Sequence, residues 1–460
     1  MTVHHIVPPY LLERLEQTAD DPTLRARYRQ SLDHDAMFRT RPAASTTEAP
    51  AAPTTEAPAA EGAEASEAQG EAAAPSPQRA IHDAEHETAL PGNLVRSEGD
   101  PDVPDTAVNE SYDGLGATWS LFHECFGRDS IDGAGVPLIS TVHFDRDYVN
   151  AFWNGEQMVF GDGDGVIFRS FTSSIDITGH ELTHGVVQHT AGLAYEGQAG
   201  ALTESLCDVF GSLAKQHHLG QAGTEADWII GAGIFTDGVA GVGIRSLAQP
   251  GSAYDDPRLG RDPQPSHMSD YVDTEDDNGG VHLNSGIPNH AFYLVATTLG
   301  GNAYEDPGRI WYTTLTSGDL PATCTFAQFA AATQQTAESL FGPESPQAQA
   351  VTTAWTQVGV LPTATPSRTE SIDLMRAAQT GLDTSTPPAP ASPTPTPTPT
   401  PTPPTPTPPT STPPTSTPPT STPPTPSDSA PSPPTPAPPS PPDSTPEPPA
   451  TDEPPGETAN

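Results

Sequence analysis

SSIDITGHELTHGVVQ, residues 173–188, is the stretch that decides how this chain reads. Coiled as a helix, it puts His180 and His184 one turn apart on the same face. Two imidazoles so placed can grip one zinc ion, with Glu181 beside them free to handle a proton. A catalytic zinc needs a third protein ligand and an open position for water. Downstream, GALTESLCDVFGSLAKQ (residues 200–216) repeats Leu202, Leu206, Val209 and Leu213 at helical spacing, with Gly220 as a stop. Glu204 and Asp208 are four apart and share a face of this second helix. Glu204 is expected as the third ligand, and Asp208 as the group that orients a ligating histidine through its other ring nitrogen. A glycine and a third histidine soon after the first motif would signal another ligand set, but Val187 and Thr190 stand there.

Composition divides the rest of the 460 residues, 57 of which are proline. From about Thr384 onward the chain is nearly all Pro, Thr, Ser, Ala, Asp and Glu, with runs such as PTPTPT and STPPTSTPPT. Such a segment buries too little apolar surface to offset its ordering entropy, so 362–460 is expected to be a disordered tail. Residues 41–78, rich in Ala, Pro and Glu, read as a linker. Between them, 79–361 is long enough for two lobes around a cleft. The net charge of -41, from 59 acidic and 18 basic residues, disfavours nucleic acid and anionic membrane surfaces as partners. Cys125, Cys207 and Cys324 allow at most one disulfide, and three free thiols are equally compatible. MTVHHIVPPYLLERLEQ lacks a basic region followed by an apolar core, so no ordinary secretion signal is expected there. No apolar run has the length to span a bilayer. The pairs His4-His5 and His217-His218 read as exposed or helix-end histidines.

Several separated blocks, taken with the two helices, resemble the thermolysin family of zinc metalloendopeptidases over about residues 79–361. They are NAFWNGEQMVFGDGDG (150–165), HELTH (180–184), ALTESLCDVFG (201–211) and DNGGVHLNSGIPNHAFY (277–293). VPPYLLERL (7–15) resembles the short propeptide of the protealysin subgroup, which also lacks an obvious signal peptide. The long linker and the Pro/Thr tail depart from that pattern. The resemblance implies an α+β, two-lobed gluzincin. Residues 1–40 would be an inhibitory propeptide, 79–178 a mostly β N-terminal catalytic lobe, and 179–361 a mostly helical C-terminal one with HELTH along the cleft floor. It further implies a self-processing precursor, a monomer that hydrolyses internal peptide bonds and acts outside the cell by an unidentified export route.

By the same resemblance, Glu181 is the proton carrier, His282 and Tyr195 donate to the oxyanion, and Asp277 holds His282. An extended substrate would lie on the strand edge near Ala151, Trp153 and Asn154, with Asn150 and Arg245 binding its amide and carbonyl groups. Phe168, Phe171, Ile177, Ile230 and Ile244 match the pocket beyond the cleaved bond, which implies cleavage before bulky hydrophobic residues. Each of them taken singly also fits an ordinary core position. The family's paired calcium site keeps Asp176 and Asp227, but Lys215, Ile229 and Ala232 replace other expected ligands. Lys215 is the only lysine in the chain, and an ammonium among carboxylates can stand in for a cation. One weakly held calcium ion or none is therefore expected. Two other readings carry the same motifs: a catalytically retired binding module, and an aminopeptidase. Retention of every ligand with Glu181 and His282 opposes the first. The lack of an acidic amine-binding motif before HELTH opposes the second.

Overall fold

The computed structural model describes residues 4–39 and 75–362. The expectations for most of the linker and for the Pro/Thr tail lie outside the described residues.

The chain opens with a two-residue strand, β1 (His4–His5), followed by helices α1 (Pro9–Thr18) and α2 (Pro22–Arg39). Pro9 starts α1 where a missing N–H costs nothing, and Leu11, Leu12 and Leu15 form its buried face. After the linker come β2 (Arg79–Asp83), β3 (Asn93–Ser97), α3 (Thr106–Ser120), β4 (Leu138–Val142), β5 (Ala151–Trp153) and β6 (Met158–Phe160). These strands form one six-stranded sheet in the order β1-β5-β6-β4-β2-β3. The β6–β4 and β4–β2 pairs are parallel, and the rest are antiparallel. The N-terminal segment therefore supplies the strand that covers β5, which is otherwise the sheet's open edge. The lobe expected to be mostly β also carries α3 and a π-helical turn, Leu121–Cys125.

Two helices form the floor behind the sheet. Helix α4 (Ile175–Gln188) is buried at every position from Asp176 to Val187, because it packs against α3, β5 and the following α5 (Gly197–Leu219). Gly220 ends α5 in the left-handed conformation that glycine adopts without steric cost. The backbones of α4 and α5 nearly touch where Gly179 faces Gly211. A Cβ on Gly211 would stand 2.4 Å from the Asp176 carbonyl oxygen, and one on Gly179 would stand 2.9 Å from the Gly211 Cα. That close crossing brings the first half of α4 against the second half of α5. The short pair β7 (Ile229–Ile230) and β8 (Arg245–Ser246) follows. The C-terminal part is then helical: α6 (Asp277–Asn284), α7 (Gly286–Leu299), α8 (Asp306–Leu315), α9 (Phe326–Phe341) and α10 (Pro346–Gln357). Among the described residues no helix is long and apolar enough to cross a membrane.

Candidate metal centre and peptide cleft

Helical spacing and the α4–α5 crossing together converge three side chains. His180 Nε2 and His184 Nε2 lie 3.1 Å apart, and the carboxylate oxygens of Glu204 lie 3.5 Å from the first and 3.6 Å from the second. A tetrahedral zinc with bonds of about 2.0–2.1 Å needs donor atoms separated by roughly 3.3 Å, so this set fits zinc. Glu204 Oε2 is buried without a hydrogen-bond partner among the described residues, as an atom meant for a cation would be. The Nδ1 of His180 is taken up by Asp208 Oδ1 at 2.8 Å, which leaves the Nε2 lone pair for a metal.

Asp208 is fully buried and also accepts from Arg245 Nε at 2.8 Å and from Asn289 Nδ2 at 2.8 Å. Burial alone would raise its pKa, but Arg245 and His180 outweigh that and hold the carboxyl well below the usual range. Glu181 is opposite in character. Both its oxygens are buried without a side-chain hydrogen-bond partner among the described residues, and burial, then the charge of Glu204, push its pKa well up. Cys207, one turn of α5 from Glu204, also lies close to the two histidines, but burial, then Glu204 and Glu181, keep its thiol protonated. All three cysteines are free.

The second wall comes from α6. Asp277, Asn278, Gly279 and Gly280 all have positive φ (52, 52, 83 and 72°), a run that Asp, Asn and Gly tolerate best. This left-handed turn aims the Asp277 carboxylate back at His282, accepting from its backbone N at 2.9 Å and meeting its Nδ1 at 2.8 Å. His282 Nε2 is thereby turned toward the centre, 3.3 Å from Glu204 Oε2 and 3.5 Å from the Tyr195 hydroxyl. Tyr195 donates to Glu204 Oε1 at 2.5 Å.

The cleft is filled by the chain's own N-terminus. His4 and His5 pair with Trp153 and Phe152 of β5. Ile6 N donates to the Ala151 carbonyl at 3.1 Å, and Val7 N donates to Asn150 Oδ1 at 2.9 Å. Arg245 Nη1 donates to the Ile6 carbonyl at 2.9 Å, and the His5 carbonyl sits 2.9 Å from His282 Nε2. Ile6 and Val7 are wholly buried in the apolar core that also contains Phe168, Phe171, Ile177, Ile230 and Ile244. Trp153 is buried as well, its indole N–H reaching Gln188 Oε1 at 3.2 Å, whereas Asn154 closes a turn by accepting from the backbone of Glu156 and Gln157.

Several residues here escaped the sequence reading. His4 and His5 are not exposed histidines. His5 is 2% exposed and stands 3.0 Å from Asp35, and His4 stacks on His184 with ring centroids 4.1 Å apart. Their only sequence signal is adjacency to VPPYLLERL. Asp35, on α2, accepts from Tyr148 at 2.7 Å and Asn150 at 3.0 Å and so ties that helix to the substrate edge. Asn289, inside DNGGVHLNSGIPNHAFY, carries no local pattern that marks it as a partner of Asp208. At the expected calcium site, Lys215 Nζ donates to Asp176 at 3.0 Å, to Asp227 at 2.8 Å and to the Ile229 carbonyl at 3.3 Å.

A two-lobed fold whose cleft holds two helical histidines, a glutamate from the next helix and a peptide on the edge strand defines a metallopeptidase. The chain belongs to the thermolysin metallopeptidase family: the model of the family's catalytic domain matches residues 72–188, and that of its alpha-helical domain matches residues 191–360. It is 56% identical over 282 residues to an extracellular metalloprotease of Pectobacterium carotovorum subsp. carotovorum, covering 61% of this chain and 81% of that one. With protease PrtS of Photorhabdus sp. (strain Az29) it shares 45% identity over 362 residues, 77% of this chain and 91% of that one. Among solved structures, the precursor of protealysin, a metalloproteinase from Serratia proteamaculans, matches at a TM-score of 0.67. Identity there is 47%, over 78% of this chain and all of that one.

Proposed function

We propose that this protein is the precursor of a zinc-dependent endopeptidase that cuts internal peptide bonds before bulky hydrophobic residues. The observation that carries the reading is the seating of residues 4–7. An extended strand on β5 has its amide and carbonyl groups taken in turn by Ala151, Asn150, Arg245 and His282. These are contacts to the peptide main chain, so they suit many peptide sequences, while the apolar core that Ile6 shares with Phe168, Phe171, Ile177, Ile230 and Ile244 favours apolar bulk at that position.

His180, His184 and Glu204 would hold the zinc, which when bound polarises the scissile carbonyl and acidifies a water. Glu181 accepts that proton and delivers it to the leaving amine. His282 and Tyr195 donate to the oxygen that gains charge, and Asp277 keeps His282 aimed at it. Asp208 steadies both His180 and the Arg245 clamp on the carbonyl after the cleaved bond. Residues 1–40 act as an intramolecular inhibitor, 41–78 as the linker in which it is released, and 79–178 and 179–361 as the two catalytic lobes of a monomer. The Lys215 ammonium supports at most one weakly held calcium ion at the Asp176–Asp227 site, and calorimetry finding two tight calcium ions would overturn that. Names of relatives that include "extracellular" support action outside the cell.

The deciding experiment follows the intact mass of the purified chain over time beside a Glu181→Gln variant. Loss of the N-terminal segment only in the chain with Glu181 is expected. Equal processing of both chains, or inertness of the separated catalytic part toward blocked peptides, would overturn the reading. A peptide library cut mainly before charged residues would remove the specificity assignment alone.

A further inference from the structure

A peptide laid across a protease cleft in substrate register ought to be cut. The His5 carbonyl meets His282 Nε2 at 2.9 Å and the Ile6 carbonyl meets Arg245 at 2.9 Å, so the His5–Ile6 bond sits where a scissile bond would. Something must keep this bond intact while the segment remains bound. The residue before it offers the means. His4 is fixed by strand pairing opposite Trp153, and its ring lies nearly parallel to that of His184, 15° off with centroids 4.1 Å apart. The edge of Tyr195 meets its other side at 4.1 Å. A ring nitrogen of His4, one of His184 and an oxygen of Glu204 all lie within 4.8 Å of one another. The Nδ1 of His4 is buried and has no hydrogen-bond partner among the described residues.

We propose that in the uncleaved chain His4 is the fourth ligand of the metal held by His180, His184 and Glu204. A tetrahedral site with three protein ligands has one open corner, the corner a water needs for hydrolysis. An imidazole delivered there by the propeptide closes the site. Donor atoms on one zinc lie roughly 3.3 Å apart and a metal lies in the plane of each imidazole that holds it, so His4 completes the set by turning about its side-chain bonds out of its stack on His184. The strand then blocks the cleft twice, with its backbone in the peptide register and with its histidine in the water's place. Release of the segment vacates both together, and this explains how a substrate-like strand serves as an inhibitor.

This inference rests on the zinc reading above, and its test separates the two. The full chain carrying Glu181→Gln, which keeps the precursor uncut, is loaded with zinc, and the metal content and zinc-edge X-ray absorption are measured. One zinc per chain with three imidazoles in the first shell is expected, falling to two imidazoles in His4→Ala and in His4→Gln and staying at three in His5→Ala. A chain that binds no stoichiometric zinc sinks the metal reading itself. One zinc with two imidazoles in the parent, or an imidazole count unmoved by both His4 substitutions, overturns the role of His4 and leaves the zinc reading standing. Far-ultraviolet circular dichroism and the mass of the intact chain confirm that each variant is folded and uncut.

Discussion

Asp208 links the metal site to the peptide site through one carboxylate. It accepts from His180 Nδ1, from two nitrogens of Arg245 and from Asn289, while Arg245 in turn holds the Ile6 carbonyl. Replacing it with asparagine removes the charge that the wholly buried guanidinium faces, and weakens the restraint on a metal ligand. Asp208→Asn is therefore expected to weaken zinc binding by about 10- to 100-fold, read by chelator competition, and to loosen the propeptide as well. Wild-type zinc affinity in that variant would break the link. Lys215 allows a second argument at this scale. Its ammonium faces Asp176, which is wholly buried, and Asp227, which is half-exposed. Burial alone would lower its pKa, but the two carboxylates outweigh that and raise it. Lys215→Met strands the Asp176 charge and should cost about 2–4 kcal/mol in chemical denaturation. Millimolar calcium should restore part of that loss in the variant and leave the parent unmoved.

The decisive contact between elements is the crossing of α4 and α5. Glycine at 179 and 211 is demanded by the neighbouring backbone, since a Cβ on Gly211 would meet the Asp176 carbonyl at 2.4 Å and His180 N at 2.9 Å. Gly211→Ala must push the helices apart, with a cost of about 1–3 kcal/mol or more. Because Glu204 and Asp208 ride on α5 and the histidines on α4, the same variant should lose zinc affinity along with Tm. A variant that melts earlier yet binds zinc normally would show that the spacing of the helices does not set the site. The edge strand β5 is the other element that matters, and α1 and α2 pin β1 onto it through Asp35, whose carboxylate joins His5, Tyr148 and Asn150. Asp35→Ala in a synthetic peptide of residues 4–39 should reduce its inhibition of the separated catalytic part by tenfold or more, since it leaves these buried polar partners unmet.

For the molecule as a whole, pH acts through a group remote from the cleft. His143 has a positive φ of 54° and bridges two parts of the N-terminal lobe, with Nδ1 2.8 Å from Asp162 and Nε2 3.0 Å from Asp105, the cap of α3. The hydrogen bond it donates to Asp162 and both carboxylate charges outweigh burial and raise its pKa to about 9. The folded value lies above the unfolded one, about 6.5, so protonation stabilises the fold. That stabilisation is complete below about pH 6.5 and is lost as pH rises through 9. Denaturation of the zinc-loaded chain should show stability falling across this window, and His143→Gln should flatten the fall. An unchanged slope in the variant would assign the dependence to other groups.

Much of the site was legible because its signals are local. An i, i+4 spacing places His180 beside His184, and Glu204 beside Asp208, on their helices whatever surrounds them. The left-handed turn at DNGG (277–280) became visible only in the structure, although Asp, Asn and Gly are the residues that tolerate it best. Composition separated the Ala/Pro/Glu and Pro/Thr segments from the chain that can build a core, because burial scales with apolar content. Other features depend on contacts that no local pattern carries. His282 and the His5 carbonyl are 277 residues apart, and Asn150 and Val7 are 143 apart. Gly211 and Asp35 look ordinary in sequence, since a glycine in a helix and an acid among other charged residues have many uses. Only the packed chain shows that one permits two backbones to touch and the other ties the N-terminal strand and α2 to β5. Local spacing in the sequence marked His180, His184 and Glu204 as a candidate metal set but gave no sign of His4. The tertiary structure alone decided what lies against them, the chain's own first strand with His4 at the centre, because nearness between distant segments is set by packing and not by spacing along the chain.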